Sequence, residues 1–310
     1  MTILIPTAII ACSQCRPINQ DLMTGRYVDN MLYAFRKHKH FDNLAYLDTD
    51  FGKIRIFDSG GSKPVIINVP DAPNTIEHQI NLLQELSKSY RVVCYEYPGT
   101  GFSYPNPKFN YSFDHGAELI FQVMDILRIE ITSLIFSCSN GYYALNAAMA
   151  SNQRFEHIFI IQTPSISSII NWTEISVPSI LKIPVIGQIS NKVLVKKLAH
   201  VWYDVALPRG SECKNEFSAK AHHSLTQGSC FCLSSLVQGL SKEKHKVLKL
   251  YSSKVTLVWG LKDFSHRNTL KTSILEHVKD CEVVEFSECG HFPELENTSK
   301  FVKLVNERLN

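Results

Sequence analysis

From Leu44 onward the chain alternates short β-branched runs with segments whose apolar residues recur at helical spacing, and this rhythm restricts the fold more than any other feature. Val65 to Val69, Arg91 to Glu96, Ser133 to Ser137, His157 to Gln162, Val255 to Trp259 and Glu282 to Phe286 read as strands. Thr75 to Lys88, Phe113 to Leu127, Asn268 to Val278 and Thr298 to Leu309 read as amphipathic helices; in the first, Ile76, Ile80, Leu83 and Leu86 share a face. Tyr46 to Asp48 and Lys53 to Phe57 read as an opening hairpin around Asp50-Phe51-Gly52. Parallel strands need long crossovers, so the pattern predicts an α/β fold with a mostly parallel sheet covered by helices on both faces.

The rhythm stops after Pro164 and returns near His245. The stretch between contains Pro178, Pro184 and Pro208 and apolar clusters such as Val193-Leu194-Val195, and it reads as a helical cap inserted over 165–245. The core is then 44–164 with 246–310, preceded by a segment, 1–43, whose helix is expected to pack on it. A chain of 310 residues is long enough for one such domain with its insertion.

A net charge of +3 gives no electrostatic case for nucleic acid or an anionic membrane as partner. The apolar run Met1 to Cys12 is broken by Pro6, lacks the basic flank of a secretory signal and is too short to span a bilayer. Nine cysteines, an odd number spread over the chain, read as reduced thiols of a cytoplasmic protein. Cys12 and Cys15 form a CxxC pair, but it precedes the first strand and has no second pair at metal-ligand spacing. No metal and no cofactor is expected.

The chemistry concentrates at Ser137-Cys138-Ser139-Asn140-Gly141, between a predicted strand and a helix rich in small residues. A nucleophile elbow turns so tightly that small residues are expected two before and two after the nucleophile. Ser139 meets that rule; with Cys138 as nucleophile, Phe136 would fall on a small position. Ser139 is therefore the expected nucleophile, at a helix N-terminus that favours negative charge, with the Asn140 N–H as one oxyanion donor.

A serine needs a base, and the base needs a carboxylate to hold its tautomer. Asp263 follows the strand Val255 to Trp259, and His291, in Cys289-Gly290-His291-Phe292-Pro293, follows the last strand. Both are thus expected at the carboxyl edge of the sheet, where α/β folds place their sites. The strand before Asp263 ends in Thr163-Pro164 with no carboxylate, which favours Asp263 as the acid. Nucleophile, acid and base then come in the chain order of a hydrolase architecture.

These segments, with Tyr97-Pro98-Gly99-Thr100-Gly101-Phe102-Ser103 and Trp259-Gly260-Leu261-Lys262-Asp263, resemble the α/β-hydrolase superfamily over 44–310, in its capped serine hydrolase or esterase form. The resemblance implies that the insertion is a helical cap that roofs the site and shapes substrate choice. It also implies a donor N–H just after the third strand, where the family carries His-Gly. Here the text is Asn68-Val69-Pro70-Asp71-Ala72-Pro73, and Pro70 has no N–H to give, so the second donor falls to Val69, Asp71 or Ala72.

The expected activity is acyl transfer to water from an ester, thioester or related carbonyl compound with an apolar portion. Two alternatives come from other classes: a non-catalytic binding protein on this fold, and a carbon–carbon bond hydrolase or acyltransferase.

Overall fold

The computed structural model describes residues 28–29, 44–250 and 254–309. The expected N-terminal helix and the Cys12–Cys15 pair fall in 1–43 and, apart from Val28 and Asp29, lie outside the described residues.

An eight-stranded sheet carries the fold: β1 (Ala45–Thr49), β2 (Gly52–Asp58), β3 (Val65–Val69), β4 (Arg91–Tyr95), β5 (Thr132–Ser137), β6 (Phe155–Ile161), β7 (Val255–Gly260) and β8 (Glu282–Phe286), in the order β1-β2-β4-β3-β5-β6-β7-β8. β1 and β2 form an antiparallel hairpin, β2 meets β4 antiparallel, and every other pairing is parallel. Helices α1 (Ile76–Ser87), α2 (Phe113–Ile126) and α3 (Asn140–Ala150) make the early crossovers. Their apolar stripes fill two cores, one on each side of the sheet. This is an α/β-hydrolase fold.

Four helices stand between β6 and β7: α4 (Ile166–Ser176), α5 (Ile186–Ala206), α6 (Cys213–Thr226) and α7 (Leu233–Lys242). The insertion is tied to the core by buried polar contacts. His78 of α1 accepts the Thr75 N–H on Nδ1 at 3.0 Å, which leaves its Nε2–H to donate to the Phe217 carbonyl in α6 at 3.1 Å. Tyr203 of α5 donates to Asn74 at 2.6 Å. The chain closes with a short turn α8 (Pro293–Glu296) and α9 (Thr298–Leu309). None of the described helices is long and apolar enough to cross a membrane.

The helix expected over Asn268 to Val278 is corrected to a 3₁₀ segment, Lys271–Glu276. Ile274 and Val278 are buried as its spacing required, but Leu270 is exposed. Its backbone turns on i to i−3 bonds, from the Ser273 N–H to Leu270 and from the His277 N–H to Ile274, while its side chains serve α4: Ser273 Oγ accepts the Ser165 N–H and His277 Nε2 the Ile166 N–H, each at 2.9 Å.

The loop after β4 is held by a buried acid. Glu96 accepts the N–H groups of Ile76 (3.0 Å) and Phe102 (2.7 Å) and pairs with the buried Arg55 at 3.3 Å. Glu96→Ala leaves two buried N–H groups without their acceptor and Arg55 with Glu77 as its acidic partner, so a loss of about 2–4 kcal/mol is expected in urea unfolding. A loss under about 1 kcal/mol would show the network to be dispensable.

Candidate active site

The carboxyl ends of β3, β5, β6, β7 and β8 lie side by side, because Val69 is in register with Phe136, Ser137 with Ile161, Ile161 with Val258, and Gly260 with Phe286. The loops that follow bring Asp71, Cys138, Gln162, Asp263 and His291 to one rim.

β5 ends at Ser137 and α3 starts at Asn140. At the apex between them Cys138 has φ +54°, the left-handed strain expected of an elbow nucleophile, whereas Ser139 has an ordinary helical backbone, φ −63° and ψ −23°. The expected apex residue, Ser139, is thereby corrected to Cys138. The Cys138 sulfur and a ring nitrogen of His291 lie within 4.8 Å of each other.

The small-residue rule failed for two local reasons. Phe136, two before the apex, sends its side chain into the core against Tyr95, away from the turn. The crowding falls instead on Gly141, three after it, where a Cβ would sit 2.4 Å from Thr163 Oγ1. Asn140, between them, fits by donating its side chain to the Pro70 carbonyl at 3.4 Å.

His291 Nδ1 and Asp263 Oδ2 are 2.6 Å apart, and both side chains are buried. The other oxygen of Asp263 accepts from the Ser265 N–H (2.9 Å) and hydroxyl (2.6 Å). Burial works against ionisation of Asp263, but the His291 imidazolium and these donors hold its pKa down to about 2. Burial also opposes charge on His291, yet the carboxylate at Nδ1 overrides it and pushes the imidazole well above the ordinary histidine range.

Both loops are anchored on the C-terminus of α5, where Val205 accepts the Ser265 N–H at 3.0 Å and Ala206 the His291 N–H at 2.8 Å. Gly290 permits that approach, since a Cβ there would lie 2.2 Å from the Ala206 carbonyl.

Several residues of the site had no clear signal in the sequence. Gln162, at φ +49° just past β6, donates to Asp263 at 2.7 Å and accepts the Gly260 N–H at 2.8 Å. Gln162→Leu leaves that N–H and one carboxylate oxygen short of a partner, so about 1–3 kcal/mol of stability is expected to be lost in urea unfolding.

Asp71, expected to offer only its N–H, instead presents its carboxylate 3.3 Å from His291 Nε2. Burial raises the Asp71 pKa and His291 opposes the rise. Glu294 lies beneath the elbow, accepts the Ser137 hydroxyl at 3.2 Å, and is pushed up to about 8 by burial.

The site opens into a cavity of about 310 Å³. Asp71, Ala72, Cys138 and Ser139 line it from the core, and Trp172, Leu198, Trp202, Phe231 and Leu236 from the insertion. Of the three expected oxyanion donors, Asn140 and Val69 are not among the lining residues, whereas Ser139 and the Asp71-Ala72 turn are. One group of metal-ligand type occurs among the described residues, formed by Cys138, His266 and His291.

No family model matches the sequence. No curated protein matches it either. Solved structures do match. A Salmonella enterica protein provisionally described as an acyltransferase is 14% identical, with 87% of this chain and 96% of that one covered at a TM-score of 0.70. A hydrolase from Pseudomonas aeruginosa is 15% identical, covering 87% and 100% at 0.65. A meta-cleavage product hydrolase from Pseudomonas fluorescens is 20% identical, covering 86% and 97% at 0.65. With its strand order, its elbow and these neighbours, the chain has the fold of, and resembles, the α/β-hydrolase superfamily.

Proposed function

We propose that the chain is a cysteine-dependent acyl hydrolase in which Cys138 is the nucleophile, His291 the base and Asp263 the acid that fixes the imidazole. The observation that carries this reading is the left-handed apex at Cys138, whose sulfur lies within 4.8 Å of a ring nitrogen of His291. A thiolate attacks a carbonyl where the thiol does not, so the site must move one proton from sulfur to nitrogen. Asp263 on Nδ1 and Asp71 beside Nε2 favour the protonated imidazole, which is the state this transfer creates.

Sulfur then bonds to the carbonyl carbon while the C=O pair moves onto oxygen. That oxyanion is received by the Ser139 N–H and by an N–H of the Asp71-Ala72 turn. Collapse expels the leaving group, which takes its proton from His291, and leaves a thioester on Cys138. Water deprotonated by His291 opens the thioester and frees the acid. Helices α4–α7 act as the cap, and their apolar wall selects an acyl or leaving group of modest size.

Mixing the protein with p-nitrophenyl esters and acyl thioesters, quenching in acid and measuring intact mass is expected to show one acyl group, mapped to Cys138. An adduct on Ser139, or release of product with no adduct under single-turnover conditions, would overturn the assignment.

A further inference from the structure

His266 is unexplained by the hydrolase reading. It lies in the loop after Asp263, is buried, and stacks between Trp172 (ring centroids 5.3 Å apart) and His291 (5.3 Å). Its Nδ1 is taken by the Thr269 hydroxyl at 3.1 Å, while its Nε2 is buried with no hydrogen-bond partner. His291 repeats the arrangement: Asp263 holds Nδ1, and Nε2 faces the thiol and Asp71 without a fully formed hydrogen bond. Two imidazoles, each held at one nitrogen by an oxygen, thus stand beside a thiol, and one ligand atom of each of the three residues lies within 4.8 Å of the others.

We infer that Cys138, His266 and His291 form a site for a thiophilic divalent cation of the Zn²⁺ class, bound through one sulfur and two imidazole nitrogens, with a fourth position open to the cavity. Around tetrahedral zinc, ligands at 2.0–2.3 Å stand roughly 3.3–3.8 Å apart, so the set is completed by a closure of about 1 Å together with a turn of one of the stacked rings that aims both nitrogens at the same point. The Asp263 carboxylate can only accept and so holds the proton of His291 on Nδ1, the arrangement zinc-binding histidines carry; the Thr269 hydroxyl can accept from His266 Nδ1 in the same way, which leaves Nε2 for the metal. Cys138 enters as thiolate and releases its proton to solvent. Because the cavity reaches Cys138, a cation has a route in. Occupancy takes up the sulfur and the imidazole together, so turnover stops while the cation is bound; this last consequence rests on the function proposed above.

Co²⁺ titrated into the intact, reduced chain tests the site without any substrate. The expected spectrum has a near-ultraviolet sulfur-to-cobalt charge-transfer band and tetrahedral visible bands that saturate at one ion per chain and are displaced by Zn²⁺. His266→Phe preserves a ring between Trp172 and His291 and is expected to weaken Zn²⁺ by about 100-fold or more in competition with a chromogenic chelator. His266→Gln provides a second variant should the first misfold.

A wild-type protein with no charge-transfer band sinks the site whatever the variants do, and so does a folded His266 variant that binds Zn²⁺ as tightly as wild type. Cysteine-dependent turnover with a silent cobalt spectrum would remove the metal site and leave the hydrolase. The cobalt band without turnover of any acyl substrate would do the reverse.

Discussion

Cys138→Ala is expected to lower kcat/KM on thioesters and activated esters by about 10⁴-fold or more, whereas Ser139→Ala stays within about tenfold of wild type. The contrast is informative because the two residues are neighbours and differ by one atom type. Ser139 contributes its N–H to the reaction, and alanine retains that N–H. Cys138 contributes the sulfur that bonds to the acyl carbon, and no neighbouring group replaces it. Iodoacetamide is expected to modify Cys138 and stop turnover in step with its incorporation. A Ser139→Ala enzyme that is inactive beside an active Cys138→Ala enzyme would return the nucleophile to the serine.

Asp263→Asn is expected to reduce turnover by about 10⁴-fold, because an amide turned to donate at His291 Nδ1 stabilises the wrong tautomer and cannot support the imidazolium. The same variant has a stability signature. The Asp263 pKa falls from its ordinary 3.8 to about 2 on folding, so the carboxylate stabilises the fold by about 2 kcal/mol above pH 4, and this is lost as pH falls from 4 towards 2. Thermal melts of wild type and Asp263→Asn are thus expected to differ near neutrality and to converge in that acid window. Parallel melting curves across it would show that the carboxylate gains nothing from folding.

Much of this was legible in the sequence. Strands buried on both faces announce themselves as β-branched runs, and chain order then places Asp263 after β7 and His291 after β8. What failed depended on contacts between distant segments. The small-residue rule sets the elbow one residue too late because it places the Phe136 side chain in the turn, and only its contact with Tyr95 in the core shows that it lies elsewhere. Nothing near Asp71 in the chain says that its carboxylate meets an imidazole 220 positions away. No spacing in the chain pairs His266 with Trp172 and His291, which enclose it in the fold. The segment expected as a helix over Asn268 to Val278 buries Ile274 and Val278 but turns on i to i−3 bonds, and its contacts with α4 lie too far along the chain to be read from its own spacing.

Glu294 sets an upper limit on the conditions this architecture tolerates. Its carboxyl group keeps its proton at neutral pH, and ionisation near pH 8 would place an anion in a fully buried site beneath the elbow, with the Ser137 hydroxyl as its side-chain donor. A folded-state pKa above 4.5 means that the native state grips a proton the open chain has already shed, so resistance to unfolding declines as pH climbs from about 4.5 to 8. The molecule therefore carries an alkaline cost set by burial and eased by the nearby His291, written into the floor beneath the elbow.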